Sequence, residues 1–272
     1  MGTNVKFWGV RGSIPCCSAD YVEFGGNTSC VEINFDNHVV ILDAGSGIRS
    51  LGIDLIARQK TDFHLLISHF HWDHILGFPF FNPLYNPKSN IDIYGCVPQS
   101  CVKQVLENQM SAPYFPYSLK KLPSNIRFLD IPSVNDMNIA NDEIRIETAP
   151  LNHPNTGIGY RLSFKDKIVA YISDTEHYPD KDDEHVLALM KDANLVIYDA
   201  TYTDNDYKNF IGWGHSTPSV GIDLAKKANA KKLVLFHHNP AYTDIQLKAF
   251  EQELQKTSPS TIYAREGLVL NL

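Results

Sequence analysis

The sequence lacks the excess of basic residues that proteins gripping long nucleic acids normally carry. Its 24 lysines and arginines are outnumbered by 31 aspartates and glutamates, which gives a formal net charge of −7. A basic stripe supplies most of the affinity for extended nucleic acid, because it neutralises phosphates. The densest basic spacing, at 226–232, is what a solvated helix face and its following turn would give. The composition therefore argues against extended nucleic acid as a partner.

Long apolar runs and an export signal are also missing. No apolar stretch approaches the roughly 20 residues of a membrane-spanning helix, so we expect no membrane partner. The first ten residues, MGTNVKFWGV, have neither a basic n-region nor a long apolar h-region, which argues against secretion. The five cysteines are an odd number, as expected for reduced thiols rather than a disulfide framework. We therefore expect a cytoplasmic protein.

Linkers, low-complexity tracts and convincing internal repeats are absent too, so we expect one domain spanning 1–272. A chain of this length with 43% hydrophobic residues can bury a large core. Helical patterns occur at 47–59, 98–109, 182–191, 217–229 and 243–256. Apolar strand patterns occur near 5–10, 29–35, 38–43, 63–68, 91–95, 126–131, 143–149, 158–164, 167–172, 194–199, 232–237 and 261–270. This alternation predicts an α/β fold in which helices flank sheets, as in an αββα sandwich.

The most informative stretch is His69-Phe70-His71-Trp72-Asp73-His74, directly after the apolar run at 63–67. Side chains alternate along extended backbone, so His69 and His71 can reach one cation from the same side. A helix beginning at the following turn would direct Asp73 and His74 to a second cation. Imidazole and carboxylate ligands suit Zn²⁺, and also Fe or Mn. We therefore expect two divalent metal ions, with Zn²⁺ as the first choice.

Six residues cannot complete two coordination spheres, so further ligands must come from other loops. Three candidates follow apolar strands: His153 after EIRIETAP, Asp174 after KIVAYI, and His237 with His238 after KLVLF. Each alone would be an ordinary loop histidine or turn aspartate. Their joint occurrence behind HFHWDH indicates that these three strand ends contribute to the same metal site.

With these residues in place, the chain resembles the metallo-β-lactamase-fold hydrolases, in the branch of ribonuclease Z and small phosphodiesterases that cleave cyclic phosphates. The resemblance covers nearly the whole length. Its further motifs are FWGVRGSIP (7–15), GGNTSC (25–30), LDAG (42–45), SDT (173–175), YDATY (198–202), GHST (214–217) and LFHH (235–238). HFHWDH is typical of the superfamily, and YDATY together with GHST is typical of the phosphodiesterase branch. The resemblance implies a four-layer αββα sandwich with mixed sheets.

The resemblance also implies a role for each site residue. The first metal would be held by His69, His71 and His153; the second by Asp73, His74 and His237; Asp174 would bridge them. His215 of GHST would contact the scissile phosphate or the leaving group, and Asp199 of YDATY would orient it. Ribonuclease Z usually has Glu at the position of Asp199.

Two cations that share a water lower its pKa toward neutrality and neutralise phosphoryl oxygens. Asp73 would hold or accept the proton of the nucleophile, and His215 would stabilise the transition state or protonate the departing oxygen. We therefore predict a metal-dependent phosphodiesterase that cleaves a small cyclic nucleotide or cyclic phosphate with a metal-bridged hydroxide. Dimers are common among such relatives, so a homodimer is a further expectation.

Three alternatives stay open. A lactonase or thioesterase could use the same scaffold, but YDATY and GHST argue against it. A tRNA 3′-processing endonuclease would carry a long flexible arm, and no Gly/Pro-rich basic insertion is present. A non-hydrolytic di-iron redox protein would often have Glu within HxHxDH, which this chain lacks. The aromatic segment at 78–122 could form a lid or pocket wall over the metals, or simply pack between helix and loop.

Overall fold

The computed structural model describes residues 2–98 and 100–272, and its strands form two seven-stranded sheets. The strands are β1 (Thr3–Gly9), β2 (Cys30–Phe35), β3 (His38–Leu42), β4 (Asp62–Leu66), β5 (Asn90–Gly95), β6 (Asn125–Asp130), β7 (Asn135–Ile139), β8 (Ile144–Leu151), β9 (Gly157–Phe164), β10 (Lys167–Ile172), β11 (Leu195–Asp199), β12 (Leu233–Phe236), β13 (Thr261–Tyr263) and β14 (Val269–Asn271). The α-helices are α1 (Ile48–Ala57), α2 (Trp72–Ile75), α3 (Val102–Gln109), α4 (Glu184–Met190), α5 (Pro218–Lys227) and α6 (Asp244–Gln255).

Both sheets are mixed. The first has the order β14-β1-β2-β3-β4-β5-β6, and its strands from β3 to β6 are parallel. The second has the order β13-β12-β11-β10-β9-β8-β7, and its strands from β10 to β13 are parallel. Each sheet is thus antiparallel on one side and parallel on the other, as the mixed αββα architecture requires.

Apolar side chains fill three separate layers. The layer between the sheets joins side chains of both, among them Phe7, Phe35, Tyr160 and Phe236. A second layer packs α1 and α3 on the outer face of the first sheet. A third packs α4, α5 and α6 on the outer face of the second sheet. Burying each large side chain contributes about 1.5–3 kcal/mol, so these layers drive assembly of the sandwich. The predicted four-layer αββα fold is confirmed.

The prediction of one strand over 261–270 is wrong. The segment contains two short strands in different sheets: β13 pairs with β12, whereas β14 pairs with β1. Between them the chain crosses the edge of the sandwich and turns at Gly267, whose φ of +81° favours glycine. The sequence pattern did not predict strand β7, because its residues, NDMNI, include three polar side chains and are mostly half-buried or exposed.

The helix predicted at 98–109 begins later, at Val102. The carboxylate of Asp130 accepts a hydrogen bond from the Val102 N–H at 2.7 Å and so fixes this start. The prediction also covered Gln99, which lies outside the described residues. The helix predicted at 217–229 is α5; it begins as expected at Pro218, with Thr217 as its N-cap residue. Across 2–98 and 100–272, no helix combines the length and apolar character that a membrane crossing requires.

The direction of the strands determines where the polar loops meet. Strands β8 and β10 are both antiparallel to β9 and therefore run the same way. Strands β11 and β12 run parallel to β10, so the carboxyl ends of all four strands lie at one edge of the second sheet. Four of the predicted strand-end residues, His153, Asp174, Asp199 and His237, therefore gather at that edge.

Candidate metal centre

Seven histidine and aspartate side chains from four loops converge at this edge of the sandwich. His69 and His71 follow β4, and Asp73 and His74 lie within the short helix α2. His153 follows β8, Asp174 follows β10 and His237 directly follows β12. The structure therefore brings together all seven residues that the sequence predicted as metal ligands, in two groups of donor atoms. Their binding of metal remains a prediction.

The first group consists of His69, His71 and His153. The His71 Nδ1 atom lies 3.0 Å from His69 Nε2 and 3.1 Å from His153 Nε2. The other nitrogen of His153, Nδ1, donates a hydrogen bond to the Gly214 carbonyl at 2.8 Å, so its Nε2 presents a lone pair. Two ligands on a tetrahedral zinc, each about 2.0–2.1 Å from it, lie about 3.4 Å apart. Three clustered ring nitrogens therefore fit one small cation.

The second group consists of Asp73, His74, Asp174 and His237, all of them buried. The His237 Nε2 atom lies 3.1 Å from Asp73 Oδ2 and 3.3 Å from His74 Nε2. The remaining nitrogen of His237, Nδ1, lies 2.9 Å from the Thr201 hydroxyl. Two carboxylates and two imidazoles form a donor set that divalent cations prefer.

Asp174 lies between the two groups. Its Oδ1 atom is 3.2 Å from His74 Nε2 and 3.3 Å from His237 Nε2. Its Oδ2 atom is 3.6 Å from His69 Nε2 and 3.8 Å from His153 Nε2. One oxygen therefore faces each group, as a bridging ligand must. The donor set as a whole fits two neighbouring divalent cations.

Three residues of this region have left-handed backbone conformations. Asp43, Asp174 and His237 have φ values of 60°, 55° and 61°, although none is a glycine. Each lies within two residues of the end of a strand. Such conformations cost about 1–3 kcal/mol each and persist where the surrounding contacts enforce them. The sharp turn directs each side chain back toward the edge of the sheet.

Asp43 binds the ring nitrogen of His74 that points away from the second group, a contact that the sequence did not predict. Its fully buried carboxylate accepts hydrogen bonds from His74 Nδ1 at 2.7 Å, the Tyr171 hydroxyl at 2.7 Å and the Ser68 N–H at 2.7 Å. Fixing the Nδ1–H of a ligand histidine orients its Nε2 and raises its basicity. The motif LDAG marked this residue, but only the fold shows its partners.

Burial and charge set the protonation of the cluster. Burial lowers the pKa of His69 and of His153, which keeps both imidazoles neutral and able to coordinate metal. Burial also opposes charge on His74, but Asp174, Asp73 and Asp43 outweigh it and raise the pKa of His74. Although burial opposes ionisation of Asp174, the neighbouring histidines hold its pKa well below the usual value. Asp174 therefore stays ionised at neutral pH.

His215 lies beside the metal ligands and is paired with Asp199. The His215 Nδ1 atom is 2.9 Å from Asp199 Oδ2 and 3.9 Å from Asp174 Oδ2. Burial lowers the pKa of His215, but the Asp199 carboxylate, with Asp174 and Asp73, outweighs it and raises the value to about 9. The structure thus places His215 and Asp199 next to the cluster that contains Asp73, the third residue that the sequence predicted as catalytic.

Two other features of the sequence have contacts outside the cluster. His238 is fully buried, and its Nε2 donates to the Ala264 carbonyl at 2.8 Å, so this side chain makes a structural contact. In the aromatic segment at 78–122, Phe78 and Phe81 are buried in the core layer of the first sheet. Phe80 and Tyr114 are exposed. Part of that segment is therefore ordinary packing.

Comparison with known proteins agrees with this geometry. A family model described as Beta-lactamase superfamily domain matches residues 38–238, a range that contains all seven predicted metal ligands. The chain is similar to Ribonuclease Z of Prochlorococcus marinus subsp. pastoris, with 22% identity over 99% of each chain.

Solved structures share the fold. The metallo-β-lactamase fold protein YhfI from Bacillus subtilis has a TM-score of 0.74 and 18% identity, covering 99% of both chains. A structure described as a new diphosphatase from the PhnP family has a TM-score of 0.70 and 17% identity, covering 99% of this chain and 98% of the other. At these identities the likeness establishes the fold alone.

Proposed function

The chain belongs to the β-lactamase superfamily, and we propose that it is a metal-dependent hydrolase that cleaves the phosphodiester bonds of small cyclic nucleotides or other small cyclic phosphates. This family match confirms the resemblance to metallo-β-lactamase-fold hydrolases that the sequence motifs indicated. One observation carries the proposal: Asp174 directs one oxygen to each of the two groups of candidate metal-ligand atoms, and the His215–Asp199 pair lies directly beside them.

Two divalent cations, when bound, supply the charge that lowers the pKa of a shared water and neutralises phosphoryl oxygens. His69, His71 and His153 would hold one cation; Asp73, His74 and His237 would hold the other; Asp174 would contact both. We expect zinc, with manganese or iron as alternatives, because imidazole and carboxylate donors suit all three. Metal analysis of the purified protein tests this, since two zinc ions per chain in a colourless protein would exclude a di-iron redox centre.

Two side chains of the protein have proposed proton-transfer roles, Asp73 and His215. Asp73 Oδ2, which accepts the Ser13 N–H at 2.7 Å, is the proposed acceptor of the nucleophile's proton. His215 is the proposed acid: its Nδ1 is occupied by Asp199, which leaves Nε2 for the departing oxygen. The raised pKa of His215, about 9, keeps this ring protonated at neutral pH.

The surface charge favours a small substrate. The chain has a net charge of −7, and several of its basic side chains are engaged with acidic ones. Examples are Lys165 with Asp36 and Lys227 with Asp182. Metal ions and the residues around them can bind a phosphodiester of one or two nucleotides, whereas binding of a long RNA requires an extended basic surface.

Turnover of bis(p-nitrophenyl) phosphate, compared with a panel of lactones and thioesters, tests the reaction class. We expect phosphodiester cleavage that disappears with chelator and returns with Zn²⁺ or Mn²⁺. Cyclic nucleotides and base-free cyclic phosphates then test the substrate class. Faster turnover of a lactone or a thioester than of every phosphodiester would contradict the proposal.

A tRNA 3′-processing ribonuclease is the second candidate. It is favoured by the relative named Ribonuclease Z, which matches over 99% of this chain. Cleavage of a precursor tRNA transcript measures it directly. If that transcript is cut more efficiently than any cyclic phosphate, the second candidate replaces the first. A homodimer and a cytoplasmic location are further proposals, and sedimentation velocity checks the first of these.

A further inference from the structure

Glu176 places a buried carboxylate between the loops that carry His153 and His215. It lies two residues after Asp174, and the residue is 8% exposed. Its backbone N–H donates to the Asn152 carbonyl at 2.8 Å, and the Asn152 side chain donates to the Glu176 carbonyl at 2.9 Å. Asn152 directly precedes His153, so Glu176 is tied to the loop of one predicted metal ligand.

The carboxylate of Glu176 binds a second loop, at 207–214. Its Oε1 accepts the Gly212 N–H at 2.8 Å and the Tyr207 hydroxyl at 2.9 Å, and its Oε2 accepts the Gly214 N–H at 2.8 Å. These donors are all neutral. A buried carboxylate held by neutral N–H and O–H groups is stabilised only while those groups keep their positions, because an unpaired buried charge is costly.

The backbone of Gly214 connects the Glu176 carboxylate to His153 in the candidate metal cluster. Its carbonyl accepts the hydrogen bond from His153 Nδ1 at 2.8 Å, which turns His153 Nε2 toward His69 and His71. A Cβ atom on Gly214 would lie 2.3 Å from His153 Nδ1, and the φ of Gly214 is +83°, so backbone and ring are in close contact. The next residue along the chain is His215.

We propose that Glu176 is a positioning residue that orients His153 for the first metal and keeps His215 beside the cluster. It acts through the backbone of Gly212 and Gly214 and touches neither substrate nor metal. The part of this inference that concerns His215 rests on the proposed function. The part that concerns His153 depends only on metal binding.

Glu176→Gln tests the proposal with nearly the same side-chain volume. In either orientation of the glutamine amide, its nitrogen would lie about 2.8 Å from a glycine N–H, so a repulsive contact between two donors replaces a hydrogen bond. Loss of such outer contacts typically weakens metal binding about 10- to 100-fold. We expect the variant to bind one metal as tightly as wild type and to bind the other at least about 10-fold more weakly. Anomalous diffraction should show that the depleted metal is the one at His69, His71 and His153. We expect kcat to fall about 10-fold or more, with KM changed by less than about threefold.

Two control variants separate positioning from general destabilisation. Tyr207→Phe removes one hydroxyl donor from Glu176 and leaves both glycine N–H groups, so metal affinity should stay within about twofold of wild type. Glu251→Gln alters another buried carboxylate, on α6, which accepts the Tyr263 N–H and pairs with Arg265. It should lower the unfolding midpoint without changing the metal count.

The outcomes discriminate between the two claims. Equal weakening of both metals in Glu176→Gln, or weakening of neither, overturns the positioning role. If the wild-type protein cleaves no phosphodiester but Glu176→Gln still loses only the first metal, the positioning role of Glu176 toward His153 stands and the proposed function fails.

Discussion

Asp199 Oδ2 lies 2.9 Å from Nδ1 of His215, and the other carboxylate oxygen of Asp199 accepts the Thr201 N–H at 2.9 Å. The carboxylate is fully buried and fixed on both sides. Asp199 is the last residue of β11, so the end of this strand fixes the carboxylate that orients His215. In the proposed function this pair serves proton transfer rather than metal binding, and the first two predictions test that assignment.

His215→Ala should retain both metals and lose most turnover. Neither of the two nitrogen–nitrogen contacts among His69, His71 and His153 involves this ring, so we expect these three side chains to keep their places. Removing a general acid typically costs about 10²- to 10⁴-fold in rate. The measurement is kcat for a phosphodiester together with metal content. A variant with full metal content and a near-normal rate would show that His215 is not the acid.

Asp199→Asn should reduce turnover while leaving the fold intact. Asp199 raises the pKa of His215, so the amide would leave the ring less protonated and less firmly oriented. We expect a loss of about 10- to 100-fold, smaller than that of His215→Ala. A double variant provides the control: once His215 is removed, Asp199→Asn should have little further effect on kcat. Additive losses in the double variant would contradict a shared role.

Asp174→Ala and His71→Ala should differ in metal content. Asp174 has one oxygen facing each donor group, whereas His71 belongs to the first group alone. We expect Asp174→Ala to weaken both metals, and His71→Ala to weaken one. Both should abolish phosphodiester cleavage. Metal quantification after equilibrium dialysis measures the difference, and an equal metal content in the two variants would be inconsistent with a bridging Asp174.

Removal of metal should lower the stability of the protein. A ligand present at about 1,000 times its Kd stabilises a native state by about 4 kcal/mol. Chelator should therefore lower the thermal midpoint of the wild-type protein. The Asp174→Ala variant serves as control, since a protein with little bound metal should respond little to chelator. An unchanged wild-type midpoint would argue that the cluster holds no metal in solution.

Arg11→Leu should destabilise the fold without involving the site chemistry. The Arg11 side chain is fully buried; it donates to the Gly25 carbonyl at 2.8 Å and the Tyr242 carbonyl at 2.7 Å, and it lies 3.5 Å from Asp244. Breaking a buried ion pair by removing one partner costs about 3–5 kcal/mol. Urea unfolding of the metal-free protein measures this loss.

Arg145→Ala is the matched control for Arg11→Leu. Arg145 pairs with Asp136 on the surface, where both side chains are more than half exposed. Exposed pairs contribute little because water screens them, so the free energy of unfolding of Arg145→Ala should change little. Equal losses in the two variants would mean that the contacts of Arg11 are no stronger than those of a surface pair.

The convergence of the seven candidate ligand residues was predictable from the sequence because their signal is local. HFHWDH places four donors in six residues, and His153, Asp174 and His237 each follow an apolar strand. Parallel strands bring their carboxyl ends to one edge, so these residues had to approach one another once the strand order was set. The same local logic predicted most strands within a few residues. It failed where patterns are weak, as in the polar strand β7.

The supporting contacts could not be predicted, because they join residues without any shared pattern. Asp43 contacts His74 and Tyr171, which lie 31 and 128 residues further along the chain. Glu176 contacts Gly214 from 38 residues away. Nothing in the spacing of these residues indicates a contact, since each depends on how a left-handed turn or a loop is oriented.

The sequence by itself determined which side chains could bind metal and that strands would present them, since residue type and alternation are properties of the local chain. The tertiary structure alone decided which oxygen of Asp174 faces which histidines, which carboxylate orients His215, and to which sheet each of the last two strands belongs. Those outcomes depend on packing between distant segments, where a displacement of one ångström makes or breaks a hydrogen bond.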